Sequence, residues 1–209
     1  NGEKALNPFI ALALIDDPEI QRKAAEIYAN EKYPQCYVLP KIERYPKHKK
    51  IRIGYFSQDF RNHPVSDLTA ELYEMHDRER FEIHAFSYGP DTEDEMNLRI
   101  KKGVDHFHEL RKMSHKDAAM LARSLEIDIA VDLGGYTQDC RTEIFAMSAA
   151  PIQISYIGYP GTMGASYYDY LVADEILIPE KNQKYYTEKI AYLPNYQVND
   201  SKQSLPEVV

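Results

Sequence analysis

From Ile51 onward, short apolar runs alternate with stretches of helical periodicity, and that alternation leaves the chain few folds to choose from. Strands are expected at 51–57, 81–88, 104–110, 127–133, 152–157, 170–173 and 189–193, with helices between them at 64–76, 93–102, 114–125 and 139–147. Several of the apolar runs are continuous, the pattern of strands covered on both faces. Parallel neighbours need a crossover between them, and a helix supplies it. The expected class is therefore α/β: a Rossmann-like, mostly parallel sheet with right-handed crossovers.

The first 50 residues follow other rules. Residues 8–31 read as a helix pair, in which Pro18 can open a helix behind Asp16 and Asp17, and Ile20, Ala24, Ile27 and Tyr28 recur at helical spacing. Pro34, Pro40 and Pro46, followed by a basic cluster at 47–50, favour an extended, solvated linker. The sequence thus divides into a helical extension and linker, 1–50, and a Rossmann-like lobe, 51–209. It lacks an initiator Met, as expected of an internal piece of a longer protein.

Composition removes several functions. A net charge of −8 gives no overall attraction for nucleic acid or an anionic membrane, so neither is expected as a partner. No apolar run approaches the ~20 residues that span a bilayer. Cys36 and Cys140 stand far apart without a CxxC companion, which argues against a disulfide framework or structural zinc and fits the reducing cytoplasm. His106 and His108 flank Phe107 and would share one face of a strand, but no third ligand follows nearby, so no metal is expected.

In open α/β sheets, ligands bind beyond the carboxyl ends of the strands. The loops to inspect are 58–65, 88–95, 134–141 and 158–164. The first carries Gln58, Asp59, Arg61, Asn62 and His63 ahead of Pro64, which takes the place favoured for a first helical residue. Asn62 or His63 is then the cap, and His63 reads either as that cap or as an acid/base group. Asp67, four residues on, either faces the same rim or complements the helix dipole. In DLGGYTQDCRTE, Gly134 and Gly135 allow a tight turn and close approach, leaving Tyr136, Thr137 and Arg141 for stacking, hydrogen bonding or anion contact. In YIGYPGTMGASYYDY, Gly158, Gly161 and Gly164 surround Tyr159 and Pro160, which suits a sugar pocket or a tight turn without a ligand. Neither GxGxxG nor GxxxxGK[ST] occurs, so dinucleotide and P-loop binding find no support.

The strings IRIGYFSQDFRNHPVSDL, VDLGGYTQDCRTEIFAMSAAPIQISYIGYPGTMGASYYDYLVADEILIP and YYTEKIAYLPN closely resemble the amino-terminal catalytic lobe of O-linked N-acetylglucosamine transferases, in order over roughly 51–195. The resemblance implies one lobe of a two-lobed GT-B glycosyltransferase. It also implies inverting transfer of GlcNAc from UDP-GlcNAc to protein Ser or Thr hydroxyls, with no metal or cofactor required. His63 matches the family's active-site histidine, with Pro64 beside it. Ile157, Gly158, Tyr159, Pro160 and Gly161 match the loop lining the GlcNAc pocket, and Tyr136 and Thr137 match a neighbouring GYT loop. Residues 1–50 resemble the join to a tetratricopeptide-repeat region, although no complete repeat is present.

Two departures bear on activity. Relatives often carry a second histidine where this chain has Asp67, and the sequence stops before the carboxy-terminal lobe that holds most of the family's UDP-binding groups. The fragment alone is expected to be inactive, and its partners are a nucleotide-sugar donor, an acceptor protein and that missing lobe. Two alternatives stand beside this reading: a transferase using a fucose or glucose donor, and a non-catalytic interaction module.

Overall fold

Proline at the first helical position, behind a polar cap, starts the first three helices of a computed structural model that describes residues 6–197 and 200–202. Pro at this position sacrifices only an N–H that would lack a helical partner anyway. Asn7 caps α1 (Pro8–Leu14), Asp17 caps α2 (Pro18–Lys32) and His63 caps α3 (Pro64–Met75). Asp94 and Ser114 do the same for α4 (Glu95–Gly103) and α5 (His115–Ser124), and a short α6 (Glu143–Ala146) follows.

The strands are β1 (Ile51–Ser57), β2 (Phe81–Ser87), β3 (His106–Glu109), β4 (Ile129–Asp132), β5 (Ile152–Ser155), β6 (Tyr170–Ala173) and β7 (Lys189–Tyr192). They form one sheet of order β3-β2-β1-β4-β5-β6-β7, and every pairing is parallel. All seven expected strand sites are occupied. The sheet is covered on both sides, which explains the continuous apolar runs. Ile53, Tyr55, Ile83 and Val131 pack with Ala70 and Tyr73 of α3 and Ile100 of α4. Phe56, Phe86 and Ala130 pack with α5, α6 and Ala29 of α2.

Two helices start two or more residues later than the periodicity suggests, for a backbone reason. Glu93 and Asp139 both adopt positive φ, at 48° and 56°, a conformation that no continuing helix contains. The helix expected at 139–147 therefore shrinks to Glu143–Ala146, and that at 93–102 begins after the Asp94 cap. A 3-10 segment, Glu180–Tyr185, carries no clear signal in the sequence.

The helical extension shares the core of the sheet. Tyr28 meets Tyr136 edge-on at 5.2 Å and Tyr33 stacks on it at 5.9 Å, while the backbone of α2 passes so near Gly164 that a Cβ there would lie 2.5 Å from it. These contacts hold the loops after β4 and β5 from outside.

At the other side of the sheet, His76 ends α3 with Nε2 2.8 Å from the Tyr55 hydroxyl. Burial, and secondarily Arg78, lowers its pKa, against a smaller opposing effect of Asp105. A histidine whose folded pKa lies below its unfolded value loses stability on acidification, because the unfolded chain takes the proton first. The contribution is full above about pH 6.5 and declines as pH falls from there toward the folded pKa. His76→Gln keeps a polar partner for Tyr55 but does not titrate. Its melting temperature is expected to drop less than the parent's between about pH 7 and 5.5, and equal drops would refute the assignment.

Candidate active site

After β1 the chain winds outward to β2 and β3, then crosses back to lay β4 on the opposite flank of β1. The loops leaving β1 and β4 therefore diverge, and the crevice between them is where such sheets bind ligands. A cleft of about 1220 Å³ opens there, walled by Asp59, Arg61 and His63 after β1, Tyr88 to Pro90 after β2, Tyr136 to Asp139 and Arg141 after β4, and Gly158 after β5. Asn7, the cap of α1, with Phe9 and Ile10 in its first turn, closes one side. A second groove, about 1170 Å³, lies at the opposite end of the sheet beneath the linker, without the convergent strand-end loops.

His63 is the cap of α3, and Asn62 is not. The His63 backbone is extended, and its Nδ1 accepts the Val65 N–H at 3.2 Å. Asn62 instead accepts the Met96 N–H at 3.2 Å and donates its own N–H to Asp94, tying the loop to α4. A neutral imidazole that accepts at Nδ1 carries its proton on Nε2. His63 thus offers a hydrogen-bond donor, with its side chain about one-third exposed at 33%. The Asp59 carboxylate approaches Nδ1 at 3.7 Å, beyond hydrogen-bond range, and accepts from Arg61 at 3.1 Å instead. Ser66 donates to the Asp59 carbonyl, so the buried loop is fastened to the helix it precedes. Asp67 and Pro64 do not line the cleft among the described residues.

The turn after β4 is held from beneath by Asp132. Its buried carboxylate accepts the N–H groups of Gly134 at 2.9 Å and Gly135 at 3.1 Å, and the Tyr168 hydroxyl donates to its other oxygen. Burial raises the pKa of Asp132, against these three hydrogen bonds, which favour the carboxylate. Thr137 donates to the Gly134 carbonyl at 2.9 Å. The expectation that Tyr136 stands free to stack or hydrogen-bond is corrected: its side chain is buried and its hydroxyl donates to the Met163 carbonyl. Packing against Tyr28, Tyr33 and Tyr159 is worth more than exposing that ring to water. Arg141 is engaged too, donating to the carbonyls of Leu110 at 3.0 Å and Met113 at 2.8 Å.

After β5 the backbone bends sharply at Ile157, whose φ is 64°. A β-branched residue in the left-handed region is strained, and such strain persists only where surrounding structure enforces it. Gly158 lies against the turn after β4, with the place of a Cβ only 2.0 Å from the Leu133 carbonyl oxygen. Tyr159 is buried, its hydroxyl donating to the Thr162 carbonyl at 3.3 Å. Pro160 accepts a hydrogen bond from the Tyr186 hydroxyl, and Gly161 lies against the Tyr159 hydroxyl. Beneath them, buried Glu188 accepts from the Met163 N–H at 2.6 Å and the Thr162 hydroxyl at 2.7 Å. Of the five residues 157–161, Gly158 alone reaches the cleft.

Sequence reasoning missed the contribution of α1, for which no local signal exists. It named the loop at 88–95 without seeing Gly89, where a Cβ would fall 1.7 Å from the Gln58 carbonyl oxygen. The Tyr-Gly-Pro that follows β2 was the available sign.

Comparison with known proteins adds a family and a fold. The model of glycosyl transferase family 41 matches residues 28–209. A probable UDP-N-acetylglucosamine–peptide N-acetylglucosaminyltransferase SEC of Arabidopsis thaliana is 39% identical over 216 residues, covering 98% of this chain and 22% of the relative. The UDP-N-acetylglucosamine–peptide N-acetylglucosaminyltransferase of Caenorhabditis elegans is 39% identical over 162 residues, 75% of this chain and 14% of its own length. A solved structure of a mutant O-GlcNAc transferase from Thermobaculum terrenum superposes with a TM-score of 0.82 at 29% identity, covering 90% of this chain and 37% of that one. The chain thus spans about a fifth of the first of these relatives and less of the second.

Proposed function

The chain belongs to glycosyl transferase family 41, and we propose that it forms the sugar-binding lobe of an inverting enzyme that moves GlcNAc from UDP-GlcNAc to Ser or Thr hydroxyls of proteins. The observation that carries this reading is the cleft at the β1/β4 crossover, which His63, Thr137 in the turn held by Asp132, and Gly158 line together. Backbone held this rigidly suits a polar sugar ring, since few groups need ordering on binding. Inverting transfer requires the acceptor hydroxyl to lie opposite the departing diphosphate, in line with the bond that breaks. In this proposal His63 donates its Nε2–H to the sugar or acceptor and fixes that alignment. With Nδ1 spent on the helix cap, the imidazole serves as a donor rather than as the base.

Charge on the leaving UDP falls to a carboxy-terminal lobe that closes over the cleft, so this lobe alone is expected to be inactive. No step is assigned to a metal or cofactor, the amino-terminal helices lead from a tetratricopeptide-repeat region, and the setting is the cytoplasm. No helix among the described residues is long and apolar enough to cross a membrane. The test is a donor panel with the full-length protein and a protein acceptor. Transfer from UDP-GlcNAc is expected to exceed transfer from UDP-glucose and GDP-fucose. Robust transfer of another sugar without GlcNAc transfer would overturn the donor assignment, and no transfer from any donor would favour an interaction module.

A further inference from the structure

The sheet edge away from the carboxyl-end cleft gathers four ionisable side chains on one face. His84 pairs with His106 and Phe86 with His108 in the parallel β2/β3 ladder. Glu82, His84, His106 and His108 occupy every second position of their strands and so point to one side. Glu82 Oε1 lies 3.0 Å from His84 Nε2 and 3.3 Å from His106 Nε2, and one ligand atom from each of these three residues falls within 4.8 Å of the others. A tetrahedral ion with bonds of about 2.0–2.1 Å keeps its donors roughly 3.3–3.4 Å apart. The two strands already hold both Glu82–histidine distances near that spacing, with a donor of each histidine within 4.8 Å of the other.

The surroundings fit the same purpose. His84 is buried, and its Nδ1 lies 3.1 Å from His108 Nε2. With Nε2 committed to an ion, Nδ1–H donates to His108, the outer-shell bond that fixes the tautomer of a metal-bound histidine. The other oxygen of Glu82 faces Arg52 at 3.7 Å, and Arg52 is also paired with Glu126 at 3.3 Å, so its positive charge is shared between two carboxylates. His106 is 51% exposed in its side chain, which leaves a route from solvent and room for water as the fourth ligand.

We propose that Glu82, His84 and His106 bind a divalent transition ion of the zinc class, which fastens the edge strand β3 to β2. Two imidazoles and one carboxylate select such an ion over Mg²⁺ or Ca²⁺, which prefer oxygen ligands. Glu82 and His106 sit at the amino ends of their strands, opposite the cleft, so the site is structural and independent of the transfer reading.

The test uses the purified full-length protein after chelator treatment, with Co²⁺ as a spectroscopic probe and Zn²⁺ as its competitor. The parent is expected to develop the visible absorption of four-coordinate Co²⁺, and to lose it to Zn²⁺ but not to Mg²⁺. Zn²⁺ is also expected to slow amide hydrogen exchange in the β3 peptide, since an edge strand opens locally unless tied. His106→Ala, at an exposed position that the fold tolerates, should lose both signals, and His108→Phe should weaken binding roughly 10- to 100-fold. A His106→Ala protein that matches the parent in spectrum and in β3 exchange would overturn the site, as would displacement of Co²⁺ by Mg²⁺.

Discussion

Gly158→Ala is expected to lower transfer by the full-length enzyme at least about 100-fold, the scale on which a 1 Å misplacement near a reacting centre is felt. The added Cβ would sit 2.0 Å from the Leu133 carbonyl oxygen and 3.0 Å from its carbonyl carbon. Both are backbone atoms of the turn after β4, and neither can swing away like the end of a flexible side chain. Ordinary contact begins at 3.4 Å, so the loops after β4 and β5 must part. That separation pulls on Gly134 and Gly135, which Asp132 holds by two hydrogen bonds, and on Ile157, already at positive φ. Overpacking of this kind costs about 1–3 kcal/mol, so the protein should still fold, with a lower but cooperative melt. Gly103→Ala is the control. Its new methyl meets Cγ of the Glu74 side chain at 3.2 Å and no backbone atom closer than 3.9 Å, far from the cleft, and transfer should stay within about twofold of the parent. Near-parental transfer by Gly158→Ala would show that the contact between the two turns does not set the geometry of the site.

How far such a site can be read in advance depends on whether its determinants are local. The inner strands were legible because helices cover both faces of the sheet and leave continuous apolar runs such as those of β4 and β6, whereas β2 and β3 alternate with Glu82, His84, His106 and His108. The crevice was legible at the level of loops, because ligands of such sheets lie beyond the carboxyl ends of the strands, while the strand order that places it between the loops after β1 and β4 came from the structure. Tyr136 and Tyr159 were not, since an aromatic next to a glycine looks the same whether it faces a ligand or a core. Tyr136 is covered by Tyr28 and Tyr33, about 100 positions earlier in the chain, and Tyr159 packs on Tyr136 and on Phe9 of α1. Asn62 and His63 stayed equivalent as caps until the Asn62 contact with α4 separated them. The Glu82–His84–His106 trio lay deeper still. His106 and His108 announce one face of a strand, but only the register with β2 supplies the missing ligands. Local chemistry named His63, Tyr136 and His106, and pairing across the fold gave each its surroundings.

His63→Ala in the full-length enzyme is expected to reduce kcat by roughly 10²–10³, the range for loss of one donor that stabilises a reacting group. It also removes the α3 cap, at a cost of about 1 kcal/mol, so its stability falls together with its activity. Two further substitutions separate those effects. His63→Asn supplies a favoured capping residue able to accept the Val65 N–H, but withdraws the ring and its Nε2–H. It should melt like the parent and still lose most of its transfer, and retained transfer would assign His63 to helix capping alone. His63→Gln extends an amide N–H toward the place of Nε2 but cannot take up a proton. A residue that orients sugar or acceptor by donation should be partly rescued by glutamine, to a rate at least about tenfold above alanine, since a factor of ten corresponds to one ordinary hydrogen bond. A residue that removes the acceptor proton should leave glutamine as slow as alanine. The cap geometry favours the first result, because the nitrogen that would accept at Nδ1 already holds the Val65 N–H at 3.2 Å.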